Sequence, residues 1–129
     1  KNWGRIITIT STIAKEPSPD MILSATSRAG LSAFSKAIAI EFAKYNISSN
    51  VISPGGIMTD RFVNLVKIDA KNENKEYFKK LSEITKNIPA RRIGKPEEIA
   101  NAIVFLASEL GGYINGVDLS IDGAFTKGY

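Results

Sequence analysis

The feature that most constrains this chain is a short β-branched run near its start. Residues Arg5 to Thr10 read Arg-Ile-Ile-Thr-Ile-Thr between Gly4 and a polar turn. That is the pattern of a strand buried on both faces, and so of a central strand in a parallel sheet. Ser11 to Met21 carries Pro17, Pro19 and Asp20 and reads as a loop leaving the carboxyl end of that strand. Helical spacing takes over from Ile22 to Tyr45. Ala25, Ala29, Ala33 and Ala37 form one ridge, and Leu31, Phe34, Ile38 and Phe42 a second, so more than one face is apolar. One face can pack on the sheet; the Ala spacing of the other suits close approach of a second subunit, the alternative being a helix sandwiched within one large monomer.

Ser49 to Ser53 reads as another short strand, stopped by Pro54-Gly55-Gly56. Thr59 to Ile88, rich in Lys and Glu, reads as one or two helices and, at that length, as a mobile lid. Gly94-Lys95-Pro96-Glu97-Glu98 opens a further helix, with Pro at its first position and carboxylates in its first turn. Gly111-Gly112 is expected to end that helix. Val117, Leu119 and Ile121 alternate with Asp118 and Ser120, a strand with one polar face. The order strand, helix, strand, helices, strand implies an α/β fold with a parallel sheet and right-handed crossovers.

Composition narrows the chemistry. The chain of 129 residues has no His and no Cys, so it can build no Ser-His-Asp triad, thiolate nucleophile, Cys/His zinc site or disulfide. Acid-base work falls to Asp, Glu, Lys, Tyr, Ser or a cofactor. Absence of Cys fits a reducing compartment, and we expect a cytoplasmic protein. The net charge of +4 is not arranged for nucleic acid. Between Lys67 and Lys86 the lysines alternate with Asp69, Glu73, Glu76 and Glu83, a solvated helical face with no phosphate-tracking stripe. No apolar run approaches the roughly 18 residues of a membrane span, so neither nucleic acid nor membrane is expected as a partner.

Several segments together carry a family resemblance. Gly-Arg-Ile-Ile-Thr-Ile-Thr-Ser (4 to 11), Arg-Ala-Gly-Leu (28 to 31) and Asn-Val-Ile-Ser-Pro-Gly-Gly-Ile-Met-Thr (50 to 59) are followed by Gly-Lys-Pro-Glu-Glu-Ile-Ala (94 to 100) and Tyr-Ile-Asn-Gly-Val-Asp-Leu-Ser-Ile-Asp-Gly (113 to 123). In that order they resemble the carboxyl-terminal half of short-chain dehydrogenases/reductases, most closely the β-ketoacyl-carrier-protein reductase type. The resemblance implies half of a Rossmann-type doubly wound sheet spanning 1–129, with NAD or NADP as cofactor and a small carbonyl or alcohol as substrate. The Ala ridge of the long helix adds the expectation of a homodimer or homotetramer. Carried over, Ser11 is the substrate-polarising serine. Pro54 and Gly55 lie beside the nicotinamide, with the Ile57 backbone and Thr59 hydroxyl near its carboxamide.

The chain departs from the family at the catalytic pair. Counting thirteen residues on from Ser11 reaches Ser24, and four more reach Arg28, where the family keeps Tyr and Lys. In the family the tyrosine is the general acid or base, its phenol pKa lowered from about 10 by the neighbouring lysine. A serine hydroxyl is far less acidic. Arginine keeps its proton but can still grip ribose hydroxyls, so Arg28 is expected to bind cofactor as well as to sit at the catalytic position. Tyr45, Tyr77 and Tyr113 fall in segments expected away from the Ser11 loop, which leaves Asp20 and Tyr129 as candidate substitute acids. Read without the resemblance, Ser24 and Arg28 are a first-turn serine and a surface arginine of an amphipathic helix.

No Gly-rich turn of G-x-G-x-x-G spacing is present, so the dinucleotide phosphates have no cradle here. The Arg5 to Thr10 strand would be left with a bare edge. The expected partner is therefore an amino-terminal half of the same fold. Two functions follow: an NAD(P)-dependent oxidoreductase, or a catalytically impaired relative that serves as a cofactor-binding or structural protein.

Overall fold

The computed structural model describes residues 2–128. Its sheet has three parallel strands in the order β1 (Gly4–Ile9), β2 (Ile47–Pro54), β3 (Asp118–Ile121). Gly4 pairs with Ile47 and Ile9 with Ile52, while Val51 pairs with Asp118 and Pro54 with Ile121. All three strands therefore end on the same side, where Ser11 follows β1 and Gly55 follows β2. Helix α1 (Ile22–Phe42) makes the first crossover, and α2 (Asp60–Asn72), α3 (Tyr77–Lys86) and α4 (Pro96–Ala107) make the second. α1 lies against β2, and α4 against β1 and β2. This is the expected α/β arrangement of a Rossmann-type sheet.

β2 is central and buried along almost its whole length. β1 is not the central strand of the described sheet: it lies at one edge, with Ile6 and Ile9 40% and 52% exposed. Its run of β-branched residues has a bonded neighbour on one side only, which leaves the other edge open to a further strand. The lid stretch resolves into two helices, α2 and α3. α4 begins as expected, with Pro96 in its first turn and Glu98 accepting the Lys95 backbone N–H at 2.7 Å. It stops earlier than expected. Ser108 caps it, and Gly111 instead closes a short 3₁₀ turn beyond. No helix among the described residues is long and apolar enough to cross a membrane.

The two faces of the sheet are packed with different chemistry. On the α4 face Ile52, Ile99 and Leu106 form an apolar core joined by Ile7, Ile103 and Ile121. The α1 face is largely polar. Along α1 the buried residues are Ala25, Ser35 and Ala39, a stripe of small residues, while Phe34 and Ile40 of the outer faces are 61% and 72% exposed. Ser35 and Ser49, both buried, share a hydrogen bond of 2.8 Å.

Closer to the strand ends, Asp118 takes Ser53 Oγ–H at 2.6 Å and Ser32 Oγ–H at 3.1 Å, and pairs with Lys15 at 3.0 Å. Because Ser53 donates to the carboxylate, the 2.9 Å bond between Thr10 and Ser53 runs from the Thr10 hydroxyl. The polar face expected for β3 is therefore turned inward. It ties the ends of all three strands to α1 and to the loop that carries Ser11.

Candidate active site

Beyond the strand ends lies a cleft of about 570 Å³. Ser11, Ser24, Arg28, Pro54, Gly55, Ile57 and Thr59 all line it, so the tertiary fold brings together the residues carried over from the family resemblance. A position outside the carboxyl ends of parallel strands is where α/β sheets bind ligands. The volume lies within the ordinary range of about 300–1,000 Å³ for small-molecule sites.

Each group is held by local structure. Ser11 is extended and its Oγ accepts the Ile13 N–H at 3.4 Å, capping a 3₁₀ turn over Thr12–Ala14. Accepting there leaves the Ser11 hydroxyl hydrogen for another oxygen. Thr59 plays the same part for α2, accepting the Phe62 N–H at 3.3 Å. Ile57 bridges to Gly94, and its carbonyl accepts the Thr59 N–H at 2.8 Å.

Ser24 and Arg28 are one turn apart on α1, hence on one face. Arg28 Nη1 donates to Ser24 Oγ and, at 3.5 Å, to the Ser24 carbonyl. A guanidinium has only donors, so Ser24 Oγ is the acceptor in this pair and keeps its own hydrogen to give. The pair can offer a hydrogen bond to an oxygen in the cleft, and Arg28 cannot act as a base.

Sequence reasoning missed part of the lining. Met21, Phe62 and Leu65 supply apolar wall, and Arg61 enters from the first turn of α2. The helix start at Thr59 was the available signal, since it fixes which residues face back across the opening. Among the described residues the cleft lining contains Arg28 and Arg61 and no carboxylate. Of the substitute acids, Asp20 is exposed and outside the cleft lining; exposed Tyr45 and Tyr113 and half-buried Tyr77 lie outside it as well. Tyr129 lies outside the described residues.

The donor set fits the nicotinamide-ribose end of a dinucleotide: hydroxyls of Ser11 and Thr59, a guanidinium, and an apolar wall from Pro54 and Ile57. The Gly-rich phosphate cradle has no counterpart in this chain, so the fit covers that end alone.

Around the cleft, carboxylates fix the loops. Asp122 accepts from Ala124 N–H at 2.9 Å, Thr126 N–H at 2.9 Å and Thr126 Oγ1–H at 2.7 Å. Burial raises its pKa, but these hydrogen bonds outweigh burial and leave it below the usual aspartate value. Glu98 forms a two-point pair with Arg92, at 2.7 and 2.6 Å. That pairing, with the Lys95 N–H, lowers its pKa to about 2.

Residues 1–126 match the family model described as Enoyl-(Acyl carrier protein) reductase. The chain is similar to the NADPH-dependent reductase BacG of Bacillus subtilis (strain 168), with 38% identity over 125 residues that cover 97% of this chain and 48% of the relative. It is also similar to the 3-oxoacyl-[acyl-carrier-protein] reductase FabG of Buchnera aphidicola subsp. Schizaphis graminum. There the identity is 40% over 123 residues, 95% of this chain and 46% of the relative.

Among solved structures, an NADPH-bound short chain oxidoreductase from Pseudomonas aeruginosa PAO1 containing an atypical catalytic center superposes with a TM-score of 0.83 at 28% identity. The match covers 97% of this chain and 47% of that one. The chain spans about half the length of the curated relatives it matches.

Proposed function

We propose, since the chain belongs to the short-chain dehydrogenase/reductase family, that it forms the substrate-binding half of an NAD(P)-dependent carbonyl reductase of the 3-oxoacyl-carrier-protein reductase kind. The observation that carries this reading is the Arg28–Ser24 hydrogen bond inside a cleft that also holds Ser11. Nicotinamide bound there supplies hydride to the carbonyl carbon, or accepts it in the reverse direction. Arg28, Thr59 and the Ile57 backbone would hold its ribose and carboxamide, and Pro54 and Gly55 would form the wall for the ring.

The chain's own part is to stabilise oxygen. Ser11 Oγ–H and Ser24 Oγ–H donate to the carbonyl oxygen, where negative charge grows as the carbon is reduced. Arg28 fixes the Ser24 rotamer and adds positive charge beside it. A guanidinium carries only donors and keeps its charge, so the proton that completes the alcohol passes from water through the Ser24 hydroxyl. A tyrosine and lysine pair would do the same with a more acidic group. The dinucleotide phosphates are held by an amino-terminal half pairing along the open edge of β1, and the exposed apolar face of α1 forms a homodimer or homotetramer.

The test is oxidation of NADPH and NADH by the full-length protein with ketoacyl thioesters, aldehydes and sugars. Turnover is expected, and Ser24→Tyr with Arg28→Lys is expected to raise kcat. Cofactor binding in a titration without turnover on any carbonyl would overturn the enzyme reading and leave a cofactor-binding protein.

A further inference from the structure

A second hollow, of about 260 Å³, adjoins the cleft. Gly55 lines both, and Ser11 of the cleft is followed directly by Thr12 of the hollow. Ile84 at the end of α3, with Asn87 and Ile88 just beyond it, forms one wall, and Phe125 forms another. The hollow lies against the reacting position, so a carbonyl whose oxygen meets Ser11 can send one substituent across Gly55 into it.

The two spaces differ in polarity. The cleft lining has two arginines. Among the described residues the hollow has no charged lining residue; its polar side chains are the Thr12 hydroxyl and the Asn87 amide, against Ile84, Ile88 and Phe125. A charged or heavily hydroxylated group would lose hydration there without enough partners to replace it. An aliphatic chain gains by burial.

The walls are fixed. Phe125 sits in a turn closed by its own N–H to the Asp122 carbonyl at 3.3 Å and by the Asp122 carboxylate on either side of it. The following residues are tied to the loop of Thr12, because Glu16 accepts the N–H groups of Lys127 at 2.5 Å and Gly128 at 3.3 Å. The segment after α3 joins the same turn through Ala90 N–H to the Gly123 carbonyl at 3.1 Å. Walls tied to one another in this way give a defined length limit.

From these contacts we infer that the hollow takes the aliphatic chain of the carbonyl substrate and that Phe125 and Ile84 set its maximum length; this rests on the carbonyl reductase reading above. At about 30 Å³ per small group the hollow has room for about eight, so the substrate class is a ketone or 3-oxoacyl compound with a short to medium straight chain.

The experiment is the full-length protein, with its nicotinamide cofactor, assayed on straight-chain 3-oxoacyl thioesters of increasing length. kcat/KM is expected to rise about fourfold for each methylene buried, then level off once the chain reaches Phe125. Phe125→Ala is expected to move that break to longer chains, and Ile84→Phe to shorter ones. Turnover with kcat/KM flat along the series, or a break that neither variant moves, would overturn the inference while leaving the reductase reading standing. If no thioester is turned over, calorimetric binding of the same series reads the hollow alone. The same fourfold step and the same movement of the break support it, and length-independent affinity refutes it.

Discussion

Gly55 and Gly30 make a matched pair on which the packing argument can be refuted. An alanine Cβ at Gly55 would stand 2.7 Å from Asp122 Cβ and 2.9 Å from Asp122 Cα. One of those atoms is backbone and the other is attached to it, so neither can swing aside. Gly55 N–H also donates to the Ile121 carbonyl at 3.0 Å, and relieving the clash would pull β2 and β3 apart at that bond. Overpacking of this kind costs about 1–3 kcal/mol, and a strained hydrogen bond adds up to about 1 kcal/mol, so Gly55→Ala should destabilise by about 2–3 kcal/mol.

Gly30 is in the middle of α1, and nothing lies within 4 Å of its Cβ position. Gly30→Ala should therefore stabilise by about 0.5–1 kcal/mol, through lower chain entropy in the unfolded state. The two variants should differ by about 3 kcal/mol, about a hundredfold in the unfolding constant. Urea midpoints of the full-length protein at unchanged slope measure the difference. Shifts of the same sign and size, or a Gly55→Ala midpoint equal to wild type, would refute the argument.

The Arg92–Glu98 pair gives an acid-side prediction. Glu98 titrates at about 2 in the folded chain against about 4.3 for a free glutamate. Its stabilising contribution is present above the unfolded value and is lost as pH falls from about 4.3 toward 2. Arg92→Ala should raise the Glu98 midpoint measured by carboxyl carbon NMR, and should flatten the stability loss over that range; an unmoved midpoint would refute the assignment. For assembly, Phe34→Glu on the exposed face of α1 should shift the full-length protein to a smaller species in sedimentation, and a wild-type monomer would remove the α1 interface.

The candidate site was legible through the family resemblance of its motifs, and local geometry explains how its members are held. Ser24 and Arg28 are four apart on a helix, so their contact follows from the helical repeat. Ser11 and Thr59 each precede a helical turn, and a side-chain oxygen there caps it. The face of α1 that meets the sheet was not legible in the same way. Hydrophobic periodicity points to the Ala ridge and to Leu31, Phe34, Ile38 and Phe42, but the buried stripe is Ala25, Ser35 and Ala39. The sheet surface beneath carries Ser49 and Asp118, which pair with Ser35 and Ser32 of α1. A contact satisfied by hydrogen bonds leaves no apolar signature.

By itself the sequence determined the order of elements and the parallel sheet, because periodicity, caps and breakers act within a few residues; the set of residues gathered at the strand ends was implied by the family resemblance of its motifs. Tertiary structure alone decided that Arg61 joins Arg28 in the cleft, that Asp122 stands against Gly55, and that Phe125 closes the second hollow. Those contacts join residues far apart in the chain. They depend on strand register and on where each crossover returns, and no local pattern encodes either.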